Sequence, residues 1–201
     1  MAQQTAFGVK LHTGWGALVA ISGSPGKIQL HHRQRIELLP SDNSIPRFVY
    51  HDASEQPLAQ AKASVERAAH ASLRAAGLAI KQVLEELNAL PVKVEICGVL
   101  SGSTSVPDDL SVILRSHPLI HAAEGALYQT AVASACESNG MKTVVAPERD
   151  VWARAAKAWR TTEAGLRKEV DALCKTAGAP WSADQKAAAA IALLALRSKR
   201  S

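Results

Sequence analysis

Three β-like runs crowded into residues 6–38 constrain this chain more than any other feature. The first runs from Ala6 to about Leu11 and the second from Trp15 to Ser22. Gly23-Ser-Pro-Gly26 then turns the chain into a third, Lys27 to Leu38. Links this short join only antiparallel neighbours, because parallel strands need a crossover of a dozen or more residues. The chain therefore opens as a meander. Its third strand places Ile28 and Leu30, then polar His32 and Gln34, then Ile36 and Leu38 at alternate positions, so one face is only partly covered.

Beyond the meander the period changes. From Leu58 to Leu90 apolar residues recur three and four apart (Leu58, Ala61, Val65, Ala69, Leu73, Ala76, Ile80, Val83, Leu87, Leu90), which predicts one long amphipathic helix with Gly77 as a point of bending and Pro91 as its stop. Its small residues suit close packing on a sheet. Val92 to Leu100 reads as a fourth strand, Ser101 to Ser105 as a polar turn, and the sequence from about Pro107 as helical, broken and restarted at Pro118. The restarted helix ends at Asn139-Gly140, a left-handed cap. Thr143 to Ala146 makes a fifth strand, and helices are predicted over Glu148–Ala158, Glu163–Ala177 and Ala183–Arg197, the last opened by the capping pair Ser182 and Gln185. Pro40 to Pro57 is polar with three prolines and reads as a long excursion loop. The whole, residues 1–201, is expected to be one domain with a flexible tail at 198–201.

Composition narrows the class. Hydrophobic residues make up 47% but aromatics only 4%, so alanine-rich helices rather than an all-β sandwich fill the core. Cys97, Cys136 and Cys174 are far apart and form neither a zinc spacing nor a disulfide set, which points to a reduced, cytoplasmic setting. No basic leader with an apolar run opens the chain, and no segment approaches the roughly 18 apolar residues of a membrane span. The net charge of +5 is uneven: from Lys142 onward 12 Lys/Arg stand against 6 Asp/Glu, an excess that suits a polyanion as well as a merely solvated face.

Gly8-Val9-Lys10, then Thr13-Gly14-Trp15-Gly16, resembles the opening of the bacterial Holliday-junction resolvases of the RuvC type, a glycine-hydrophobic-Asp strand followed by Thr-Gly-aromatic-Gly. Gln82-Val-Leu-Glu-Glu-Leu87 leading through Pro91 to Val92-Lys-Val-Glu-Ile-Cys97 is similar to that family's first helix and fourth strand. Glu124-Gly-Ala-Leu127, Ala146-Pro147 and Val151-Trp-Ala-Arg154 are similar to its central helix, fifth strand and next helix, and Asp184-Gln-Lys-Ala-Ala-Ala-Ala-Ile-Ala192 to its closing helix. The resemblance implies an α/β, ribonuclease H-like fold: a five-stranded mixed sheet in order 3-2-1-4-5 with helices on both faces. Resolvases of this type also pair through helices, so a homodimer is a further expectation.

Four acids serve the family's two-metal phosphodiester hydrolysis. At the matching positions stand Lys10, Cys97, Asp184 and Ala187, so one acid of four survives. An ammonium repels Mg²⁺ and a methyl group coordinates nothing. The resemblance therefore implies a site with no metal, no cofactor and no catalytic residue, on a module that binds nucleic acid or a protein partner. Asp184 also fits as an ordinary acid in the first turn of a helix. The rival expectation is a divergent nuclease that uses Glu95, two residues before Cys97, with Asp184 and either Asp150 or a loop acid. Candidate phosphate contacts are Lys10, Arg149, Arg154 and Lys157. Trp15, Trp152, Trp159 and Trp181 suit either base stacking or the core, and Ser101–Ser105 either a phosphate or a plain turn. His117 and His121 are four apart, but Pro118 at the helix start is expected to spoil a metal site there. His31 and His32 read as surface groups, and His12 as a neighbour of the emptied centre.

Overall fold

The computed structural model describes residues 2–24 and 26–198. Strands β1 (Gln3–His12), β2 (Trp15–Ser24) and β3 (Lys27–Glu37) form the expected meander. Gly14 and Gly26 sit at φ of 80° and 74° in the connecting turns, a backbone region that glycine enters without a Cβ penalty. Helices α1 (Val49–Ser54) and α2 (Leu58–Leu87) lead to β4 (Val92–Ser101). Then come α3 (Leu110–Leu114), α4 (His117–Ser138) and β5 (Lys142–Pro147), followed by a 3₁₀ turn at Glu148–Asp150. Helices α5 (Val151–Ala158), α6 (Glu163–Ala172), α7 (Cys174–Ala177) and α8 (Ala183–Ser198) complete the chain. The sheet order is β3-β2-β1-β4-β5, with β1, β4 and β5 parallel and the first three strands antiparallel. This is the α/β architecture expected from the sequence.

Alternation along the two central strands builds two cores. Phe7, Val9, Cys97 and Val99 point to one face and pack with α2 and α4. Ala6 and Ile96 point to the other, under α8. On that side α8 lies so close that a Cβ on Gly8 would stand 1.9 Å from the Ala188 carbonyl oxygen, and one on Gly98 would stand 2.5 Å from that of Ile191. The alanine run of α8 permits this approach, and every residue from Ala187 to Leu196 is buried between the sheet and helices α5 and α6.

Four expectations are corrected. The 40–57 segment is not loop throughout, since α1 buries Val49 and Ala53 within it. The first half of α2 buries Ala68, Ala71 and Ser72 instead of Ala69 and Leu73, a turn of the stripe by about one residue that leaves Leu58 and Leu73 exposed, and the helix ends at Leu87 rather than running on to Leu90. The helical stretch after Pro107 begins only at Leu110, where Asp109 accepts from the Ser111 N–H and fixes the start. The helix expected over Glu163–Ala177 is two, α6 and α7, and the one foreseen at 183–197 continues to Ser198. Of the expected tail, 199–201 lie outside the described residues. No helix among the described residues is long and apolar enough to cross a membrane.

The tight seat of α8 generates a pair of opposite outcomes in denaturant unfolding. Gly8→Ala forces backbone apart and is expected to destabilise the protein by about 3 kcal/mol. Gly77→Ala, where no atom lies within 4 Å of the new Cβ, is expected to stabilise by about 0.5–1 kcal/mol through helix propensity.

Candidate functional site

The carboxyl end of β1 brings the predicted site residues toward α8. Lys10 shares the α8-facing side of the strand with Ala6 and Gly8, and its Nζ donates to Glu148 Oε2. Glu148 is the residue after β5 ends, and the parallel register Ser101↔Pro147 brings the ends of β4 and β5 level. Two residues beyond Lys10, His12 Nε2 lies 3.0 Å from Asp184 Oδ1 in the first turn of α8. No hydrogen bond links the two, and the contact becomes an ion pair only with the imidazole protonated. His12 stacks on its cross-strand partner Trp15 with ring centroids 4.2 Å apart and 9° between planes. Arg35 covers the same indole, its guanidinium carbon 3.9 Å from the centroid, while its Nε donates to Glu37.

A pair of divalent ions would need carboxylates converging on one point. Here the two carboxylates at the strand ends, Glu148 and Asp184, each have a cation-forming side chain against them. Ala187, one turn behind Asp184, is buried in the core. Cys97 is not at this site: it faces the α2/α4 core beside Cys136, where that neighbouring thiol and burial push its own thiol well above the usual range. Glu95 is also remote. It occupies the bulge where the pairing shifts between Thr5↔Val94 and Ala6↔Ile96, and its carboxylate lies 2.9 Å from Lys93 Nζ. Ile96 is level with Ala6, four residues before Lys10, so Glu95 lies about 13 Å or more down the sheet from the Lys10 level at 3.3 Å per residue. Among the described residues no group of three His, Cys, Asp or Glu side chains gathers here closely enough to hold an ion.

Of the other basic candidates only Arg149 sits at this end; α5 runs back from it to Trp159, which lies beside Gln3 and Gln4 at the start of β1. Arg149, exposed, follows Glu148 directly, with its Nε 3.4 Å from Asp150 Oδ2. Arg154 and Lys157 share the exposed side of α5. Residues 102–105 are exposed beyond the carboxyl end of β4. Of the tryptophans, Trp159 is core, donating 2.7 Å to the Leu193 carbonyl, and Trp181 donates 2.9 Å to that of Val170. Trp152 is half-buried under Arg167, which leaves Trp15 as the one beside the site. Sequence reasoning missed Glu148 and Arg35. Glu148 carried a signal, since an acid immediately after a strand of a parallel pair is placed at the ligand-binding end of the sheet. Arg35 carried only the alternation of β3.

No protein-family model and no curated protein sequence matches the chain. Among solved structures it is similar to the Thermus thermophilus RuvC structure, with a TM-score of 0.54 and 16% identity over 98% of this chain and 95% of that one. It is similar also to T. thermophilus RuvC in complex with Holliday junction substrate, with a TM-score of 0.53, 16% identity and the same coverage. What this chain shares with RuvC at that identity is the ribonuclease H-like fold.

Proposed function

We propose that this protein is a non-enzymatic nucleic-acid-binding module built on the resolvase fold. The observation that carries the reading is the contact of Lys10 with Glu148 at the strand end where phosphodiester hydrolysis needs metal-bound carboxylates. Lys10 there places an ammonium, held by Glu148, where a metal-dependent enzyme would hold its ions. Arg149 adds to that charge at the same end, and Arg154 and Lys157 carry it back along the exposed side of α5 as contacts to phosphate, which position a polyanion without reading its sequence. The solved RuvC complex with Holliday junction substrate supports nucleic acid as the ligand class. Against a nuclease that uses Glu95 with Asp184 stands the placement of Glu95 well down β4.

Two measurements test this. Duplex or four-way-junction DNA with Mg²⁺ or Mn²⁺ is expected to remain uncut, and metal-dependent cleavage lost in Asp184→Ala would overturn the non-enzymatic reading. Binding of the same DNA is expected to be weak and steeply salt-dependent. Arg154→Ala with Lys157→Ala should weaken all sequences alike and lower the log-log salt slope by about 0.9 per charge removed. Absence of any mobility shift at low salt and micromolar DNA or RNA leaves the charge as a solvated face and makes a protein the partner.

A second reading, assembly with another copy of this chain, rests on α2. The alanines of α8 are spent on the core, but α2 exposes Leu58 (54%), Leu73 (42%) and Leu78 (72%). Beside Leu73 a groove of about 340 Å³ runs between α2 and α4, lined by Ala69, Leu127 and Ala131. Wild-type protein is expected to give a dimeric mass in light scattering, and Leu73→Glu with Leu78→Glu a monomeric one. A monomeric wild type removes this reading.

A further inference from the structure

A cluster at the start of α4, on the face of the sheet opposite α8, has the composition of a metal site. His117 and His121 stand one turn apart at the start of α4, and Pro118 does not spoil the spacing. Proline at the second helical position costs no hydrogen bond, because the N–H it lacks has no helical partner there. The short helix α1 brings in a third imidazole, His51. One ligand atom from each of the three lies within 4.8 Å of the other two. The rings meet edge to face, with centroids 4.4, 4.7 and 5.4 Å apart and interplanar angles of 89°, 67° and 82°. The rings are packed together edge to face instead of stacked.

Behind them lies a carboxylate with no strong cation of its own. Glu124, one turn after His121, is 3% exposed. Its Oε1 accepts from the backbone N–H of Tyr50 at 2.8 Å and of His51 at 3.3 Å, and lies 3.3 Å from His51 Nδ1. Its Oε2 is buried without a partner. Among the described residues no Lys or Arg pairs with it, and His51 is its only ion-pair neighbour. A buried carboxylate is stable only when its charge is met. An oxygen that already accepts from two N–H groups makes Nδ1 the donor, so the lone pair of His51 falls on Nε2. That is the carboxylate-histidine arrangement that orients an imidazole toward a metal and raises its basicity.

We propose that His51, His117 and His121 bind one divalent transition-metal ion, Zn²⁺ by ligand type, with Glu124 as the positioning residue behind His51. Imidazole donors suit Zn²⁺, and three of them leave a fourth tetrahedral corner for water or an exchangeable ligand. Zn–N bonds of about 2.0–2.1 Å set donors about 3.3 Å apart, so the rings close inward on loading. His117 and His121 are exposed and His51 half-exposed, which leaves them room to turn and the ion a path from solvent. The positive end of α4 amounts to roughly half a charge, less than the full negative charge of Glu124 beside it. Loading fastens α1, and with it the 40–57 excursion, to the start of α4.

The test is titration of the full chain with Zn²⁺ alone in a calorimeter, with Co²⁺ followed by visible absorption and melting temperature recorded with and without metal. One equivalent is expected to bind saturably, to raise the melting temperature and, as Co²⁺, to show the bands of a four- or five-coordinate imidazole site. His117→Ala with His121→Ala, both on the surface, should abolish all three signals, whereas the control His70→Gln should keep them. Glu124→Gln is expected to weaken binding by about 10- to 100-fold. Should that variant not fold, the double histidine variant decides. No saturable binding by wild type, or binding that survives His117→Ala with His121→Ala, overturns the assignment.

Discussion

The near-contact of α8 with the two central strands sets the rest of the structure. Gly8 and Gly98 lack the Cβ atoms that would collide with the Ala188 and Ile191 carbonyls, and the alanines of α8 keep the helix narrow enough to lie between sheet and outer helices. Since Gly8 and Lys10 share a strand face, the seat of α8 also fixes which side chains meet its first turn. Asp184 is brought to His12, and Lys10 is left to reach across to Glu148. Core packing and site composition are thus one constraint seen at two ends of a helix.

Electrostatically that end is a set of opposed pairs. Two-metal sites hold like charges together and rely on the ions to prevent repulsion. In this chain each carboxylate faces a cation-forming side chain, and Trp15 is covered by an imidazole on one side and a guanidinium on the other. The His51 cluster is the inverse of this arrangement: a buried carboxylate and three imidazole donors, with no lysine or arginine supplying the balancing charge among the described residues.

The sheet was legible in the sequence because its cues are local. Period-two runs with tight glycine turns force a meander, and the two later strands stand alone between helices. The resemblance to RuvC-type enzymes supplied the strand order. The register of α2 was less legible, since alanine reads as apolar on either side of a helix and tertiary packing alone chose Ala68 over Ala69. Cys97 was placed at the site by aligning strands without their pleat, and a shift of one residue exchanges the faces of a sheet. The histidine cluster escaped for another reason. Its third member lies 66 residues before His117 in a segment read as loop, and only the packing of α1 on α4 brings it near.

The seat of α8 has a consequence for the order of folding. All five strands precede it in the chain, yet the centre of one face of the sheet rests on it. A nascent chain that has completed β5 holds an open apolar surface, with Ala6, Ile96 and the bare backbone of Gly8 and Gly98 uncovered until some fifty further residues have emerged. The contact that closes it joins segments about 180 residues apart, a loop closure whose entropic cost precedes any reward. During synthesis this protein therefore exposes the hydrophobic side of a finished sheet, which makes the interval before α8 arrives its period of greatest exposure to aggregation and to chaperones.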